Sequence, residues 1–149
     1  MKKTNRNYLI VTGFVLAFLL GVTATYAVMS TPQRISNTAK IKGVGVGVYA
    51  YSNKTVPVSS IDWGLVEPGQ SKNFTCYVFN EGNAAINLSM TTENWVPNTA
   101  STYITLSWNY AGSQIPAGAY VPVTFNLAVS SSIQAIETFS FTIVLTGSG

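Results

Sequence analysis

Histidine is missing from the whole 149-residue chain, and cysteine occurs once. Without histidine there is no Ser–His–Asp or Cys–His arrangement, and no imidazole for a zinc or blue-copper site. The single Cys76 has no partner for an intrachain disulfide. It shares a strand parity with Phe74 and Val78, so it reads as a small buried hydrophobe. Charge is scarce as well, at 9% of residues, where an average soluble protein carries about 25%. The acids stand singly in turns and loops, so neither a carboxylate pair nor a calcium loop is evident. Glu67 before Pro68 and Glu81 before Gly82 read as turn residues. No glycine-rich run opens a helix, so no phosphate cradle is expected. These absences predict a protein that is not an enzyme and uses neither cofactor nor metal.

The little charge that exists is unevenly placed. Lys2, Lys3 and Arg6 account for the formal +3. Beyond Ala27 the bases Arg34, Lys40, Lys42, Lys54 and Lys72 are balanced by Asp62, Glu67, Glu81, Glu93 and Glu137. No basic stripe remains to hold phosphates, so no nucleic-acid partner is expected. A neutral, charge-poor surface lacks self-repulsion, which suits a protein that associates with itself.

What is present at the N-terminus is a basic segment, MKKTNRN, then the apolar run Tyr8 to Val22 and the small-residue stretch TATYAV. This is the layout of a signal peptide covering residues 1–27, with cleavage expected after Ala27 or Ala24. The alternative is an uncleaved hydrophobic anchor, for which the run is short beside the ~20 residues of a typical span. No basic–glycine pair precedes the run, so a type IV pilin leader is not indicated. Membrane contact is expected only through this segment, and the mature protein is expected to be secreted to the cell surface. Residues 28–42 are polar, contain Pro32, and show only a sparse apolar set, Ile35, Ala39 and Ile41; they read as a flexible arm.

From Gly43 to Gly149 the dominant period is two. The first strand, to about Tyr51, alternates Gly43, Gly45 and Gly47 with Val44, Val46 and Val48. A bare glycine face weakens a strand, so something is expected to approach that backbone closely. A short edge strand with Pro57 follows, then the turn EPGQ. KNFTCYVFN and AAINLSMTT are separated by EGN, which reads as a hairpin turn. ENWVPNTAST reads as a loop or crossover. YITLSWNY, AYVPVTFNLAVS and TFSFTIVLTG close the set, with SSIQAIE as a loop or a single helical turn. About seven strands with short turns predict an all-β, single β-sandwich of jelly-roll or immunoglobulin-like type. Periodicity leaves the strand order open.

Three N-x-S/T sequons begin at Asn53, Asn73 and Asn87, each on a turn or an outward strand position. They are candidate N-glycosylation sites in an exported chain. Trp63, Trp95, Trp108, Tyr49 and Tyr51 read either as core and inter-subunit packing or as a carbohydrate platform.

The stretch LVEPGQSKNFTCYVFNEGNAAINLSM, with IDWG before it and YITLSWNY and FSFTIVLTG after it, resembles the TasA/camelysin family of biofilm matrix proteins. It looks closer to the archaeal relatives that build bundling pili. The likeness runs from about Lys42 to Gly147 and includes the signal-plus-arm layout. It implies a jelly-roll-like sandwich that polymerises head-to-tail by donor-strand complementation, each arm lying in the sheet of the next subunit. The partner implied is the protein itself, and the implied assembly residues are Ile35, Ala39, Ile41, Gly43, Gly45 and Gly47. Camelysins are classed as metalloproteases, an activity that a histidine-free chain does not inherit. The expectation is an exported subunit of an extracellular filament. The alternative is an anchored or secreted immunoglobulin-like adhesion module, with Trp63 or Trp95 exposed.

Overall fold

Strict alternation in the later strands builds the core. In the computed structural model, which describes residues 35–149, Val123, Phe125, Leu127 and Val129 of one strand are buried, as are Phe139, Phe141, Ile143 and Leu145 of another. Eight strands are present: β1 (Ile35–Val44), β2 (Val46–Tyr49), β3 (Ser60–Val66), β4 (Ser71–Asn80), β5 (Asn87–Val96), β6 (Ile104–Trp108), β7 (Tyr120–Val129) and β8 (Thr138–Ser148). They form two four-stranded sheets, ordered β3-β1-β8-β5 and β2-β4-β7-β6. The protein is a β-sandwich, and Phe125, Leu127, Ile143, Leu145, Val78 and Ile61 fill the space between its layers. The signal segment 1–27, its cleavage after Ala27, and residues 28–34 of the arm lie outside the described residues.

Three expectations differ from this architecture. The Gly/Val run is two strands in two sheets, which raises the count from about seven to eight. The boundary drawn between Lys42 and Gly43 falls inside β1, whose residues from Ile35 onward are a central strand of the first sheet. The EGN segment is not a hairpin turn, because β4 and β5 belong to different sheets. Asn80 explains the last difference. Its Oδ1 accepts the Gly82 N–H at 2.9 Å, and its Nδ2 donates to Ala84 and Ile115 carbonyls at 2.7 and 3.0 Å. Ile86 then bridges Ile115 instead of pairing back onto β4. Every connection except β6–β7 passes from one sheet to the other.

The EPGQ turn forms as expected, closed by the Gln70 N–H donating to the Glu67 carbonyl at 3.0 Å. Pro57 lies just before the edge strand β3, in an isolated bridge with Tyr49. ENWVPNTAST carries the end of β5 and a short 3-10 turn, Asn98–Thr102. SSIQAIE is a loop that buries Ile133 and Ile136.

Candidate functional site

Four of the six residues that the family resemblance implies for self-assembly lie on β1. This strand pairs antiparallel with β3 from Ile35↔Val66 to Lys40↔Ser60, and parallel with β8 from Ser36↔Thr138 to Val44↔Thr146. The β1–β8 ladder is the one parallel pairing among the described strands. Ile35 and Ala39 are buried, and Ile41 packs partly buried against the core. Thr38, Lys40 and Lys42, on the opposite parity, are exposed. A fourth inward position, between Ile35 and Ala39, holds a polar residue, the buried Asn37.

The strand's C-terminal end explains the glycines. Gly45 has φ +73°, a left-handed conformation that side chains rarely adopt. There the chain leaves the first sheet as β1 and enters the second as β2. The reversal folds backbone onto backbone, so a Cβ on Gly43 would run into the Val46 carbonyl oxygen. A Cβ on Gly47 would lie 2.5 Å from a Glu81 carboxylate oxygen and 2.7 Å from the Tyr49 ring. The close approach therefore comes from the chain's own backbone and side chains. Val44 sits on the sandwich exterior, 43% exposed, whereas Val46 and Val48 are buried. The six residues named for assembly are thus divided. Ile35, Ala39, Ile41 and Gly43 lie on β1, Gly45 at the hinge, and Gly47 on β2 of the other sheet.

The three sequon asparagines are exposed. Asn53 is engaged in its own turn, its Oδ1 accepting from the Thr55 backbone N–H at 3.2 Å and hydroxyl at 2.7 Å. The Asn73 Oδ1 accepts from Asn126 Nδ2 at 2.7 Å. Asn87 has its backbone in β5, opposite Ser148.

The tryptophans are placed as packing residues. Trp63 is buried, edge-on to Phe74 at 6.3 Å. Trp95 stacks on Phe141 at 4.2 Å, and Trp108 lies parallel to Phe125 at 6.4 Å. An aromatic group that alternation alone missed covers one end of the second sheet. Phe79 has outward parity yet is buried, because Tyr49 meets it edge-on at 5.4 Å and Tyr120 lies 4.8 Å away. The Lys54 ammonium sits 4.5 Å from its ring centre and 3.6 Å from Glu81. Tyr49 donates its hydroxyl to Glu81 at 3.0 Å, a contact that raises its pKa above the usual tyrosine value. The cross-strand register Gly47↔Phe79 makes room for this cluster, a signal visible only once the pairing is known.

Cys76 is buried among apolar side chains, and desolvation pushes its thiol up to about 12. Among the described residues no three His, Cys, Asp or Glu side chains gather into a metal-binding group. No helix among them is long and apolar enough to cross a membrane. No protein-family model and no curated protein matches this chain.

Proposed function

We infer that the protein is an exported structural subunit of an extracellular filament, assembling head-to-tail with β1 donated from one copy to the next. The observation that carries this reading is the position of β1. It is N-terminal to the rest of the sandwich, joined to it only through the Gly45 hinge, and yet inserted between β3 and β8 with Ile35 and Ala39 in the core. β3 pairs with β1 alone, and β8 keeps only β5 when β1 is withdrawn. Withdrawal therefore opens two unpaired edges and an apolar slot, which a second copy's β1 fills with the same ladder and pockets. A strand supplied by the next copy makes a heterologous contact, and that geometry grows an open fibre. The balanced charge beyond Ala27 allows close association without repulsion. Export, a surface location, and glycans on Asn53, Asn73 or Asn87 belong to the same reading.

The test is a cysteine pair on facing positions of β1 and β3, Ala39→Cys with Ile61→Cys, in a Cys76→Ser background. Oxidation of polymeric material should give a ladder of covalently linked subunits on a non-reducing gel. A purely intrachain product from material that electron microscopy shows as filaments would remove donor-strand exchange as the mechanism. The adhesion-module alternative has one observation in its favour, the exposed Tyr120 in contact with Phe79. Against it, Trp63 is buried and Trp95 is stacked on Phe141.

A further inference from the structure

We propose that Asn37 and Trp63 form a buried polar pair that selects the register in which β1 is accepted between β3 and β8. The two residues carry complementary unmet groups. Asn37 is 1% exposed; its Nδ2 donates to the Ile35 carbonyl at 3.0 Å, but its Oδ1 has no partner. Trp63 is 3% exposed, and its indole N–H, a group that can only donate, has none either. They occupy the same irregularity. Asn37 pairs with Gly64 and Thr38 with Asp62, leaving Trp63 as the extra residue between them on β3.

The β3 side of this pair is held firmly. Asp62 Oδ1 accepts the Gly64 N–H at 2.8 Å, and Lys72 Nζ donates to the Trp63 carbonyl at 2.8 Å. Phe74 packs edge-on against the indole. The donor is therefore preset, and β1 brings the acceptor. An unmet carbonyl and an unmet N–H in an apolar core are both costly. The two groups make no direct hydrogen bond, so the pair closes through one internal water, the usual occupant between buried polar groups.

The consequence is register. A two-residue slip of β1 keeps every side chain on its own face, so alternation does not forbid it. Ile35 and Ala39 are apolar on either side of Asn37 and discriminate weakly. A slip that brings Ala39 opposite Ser59 carries Asn37 into the present place of Ala39, between Ile61 and Phe141. Its carbonyl is then buried among apolar groups, and Trp63 loses its acceptor. A single buried asparagine plays the same part in fixing coiled-coil register. The inference holds whether β1 comes from its own chain or from the next copy. In the second case it deepens the filament reading, and the partner recognised is the β1 of a second copy of this chain.

The test uses the full chain with Cys76→Ser, oxidised as Ala39→Cys/Ile61→Cys for the observed register or Ala39→Cys/Ser59→Cys for the slipped one, with products mapped by peptide mass. The observed-register disulfide should exceed the slipped one by about tenfold or more, the ratio one buried hydrogen bond sets. Asn37→Leu and Trp63→Phe should each bring the two yields close together, and the double variant should go no further than either single. An unchanged preference in either single variant overturns the proposal. A second readout needs no added cysteine: the Trp63 indole proton resonance, identified by its loss in Trp63→Phe, should move on Asn37→Leu. A resonance that stays in place also overturns the proposal. Links between chains and links within one chain satisfy the register claim equally. Only within-chain links in filaments count against donation, so the two readings fail separately.

Discussion

The side-chain amide of Asn80 donates to the carbonyl oxygen of Ile115 at 3.0 Å, joining the end of β4 to a loop 35 residues further along the chain. Asn80 is fully buried, and its other two side-chain bonds, to Ala84 and Gly82, shape the crossover from β4 to β5. Asn80→Ala removes three hydrogen bonds; the Ile115 carbonyl keeps the Ile86 N–H, and the Gly82 and Ala84 groups lie on exposed residues that water can reach. Each net hydrogen bond is worth ~0.5–1.5 kcal/mol, so unfolding in urea should show a loss of about 1–4 kcal/mol. Asn80→Asp keeps the acceptor but places a carboxylate against two carbonyls, and it should do no better than alanine. A loss within ~0.5 kcal/mol, the range of ordinary surface changes, would remove Asn80 as the organiser of this crossover.

The neighbouring residues Asn87 and Leu88 offer a test of facing. Leu88 is buried and Asn87 exposed, as the alternation in AINLSM predicts. Leu88→Ala should cost ~2–5 kcal/mol as a large-to-small core change, and Asn87→Gln should cost little. Equal urea midpoints for the two variants would contradict the register of β5 on β8.

Cys76 makes a prediction about pH. Burial raises its thiol to about 12 in the folded protein, whereas an exposed cysteine in an unfolded chain titrates near ~8.5. Between those values the native state holds a proton that the unfolded state has released. Stability from this group is complete below the unfolded value and is lost as pH climbs toward the folded one. Cys76→Ala should flatten the alkaline fall in stability relative to the parent, since tyrosines and lysines contribute equally to both. At pH 8 the native thiol should resist iodoacetamide and react only on unfolding. Fast labelling of the folded protein would show that the thiol is not shielded as described.

The hinge can be probed at its glycines. Gly45→Ala forces a side chain into a left-handed conformation, at ~1–2 kcal/mol. Gly43→Ala instead drives a Cβ into the Val46 backbone, which cannot move aside without shifting the start of β2. The Gly43 change should therefore be the more damaging, measured by thermal unfolding. The reverse order would mean that the chain tolerates a wider turn between the sheets.

The layers of the sandwich were legible because alternation records which face of a strand is buried. Phe139 to Leu145 and Val123 to Val129 carry that record without a break. Pairing partners were not legible, because a period of two says nothing about which strand lies alongside. The Gly/Val run misled in a specific way. Its alternation continues unbroken through Gly45, but the conformation at that residue sends the two halves into different sheets. The EGN segment misled because a turn signal does not reveal that Asn80 spends its amide on Ile115. At the candidate site, Ile35 and Ala39 are legible as apolar residues of one parity, whereas the polar Asn37 between them breaks that pattern. Its meaning depends on Trp63 of another strand, a relationship only the fold supplies.

The strand itself provides the last prediction. A chain truncated to begin after Val44 loses the partner of β3 and leaves Ile61, Val66, Phe139 and Phe141 without the cover of Ile35 and Ala39. It should be of low stability, and it should form no filaments. A synthetic peptide spanning Ile35 to Val44 should bind it and raise its melting temperature with increasing peptide concentration, because a ligand of the native state stabilises by mass action. Added to the intact mature chain during assembly, the same peptide should shorten the fibres by occupying slots that a neighbour's β1 would take. In the intact chain, Ala39→Pro should abolish assembly, since it removes a backbone donor from a strand paired on both sides. Ser30→Pro, N-terminal to the described residues, should not. Filaments of normal width and length from the truncated chain would show that β1 is an ordinary internal strand and that the fibre is built from some other surface.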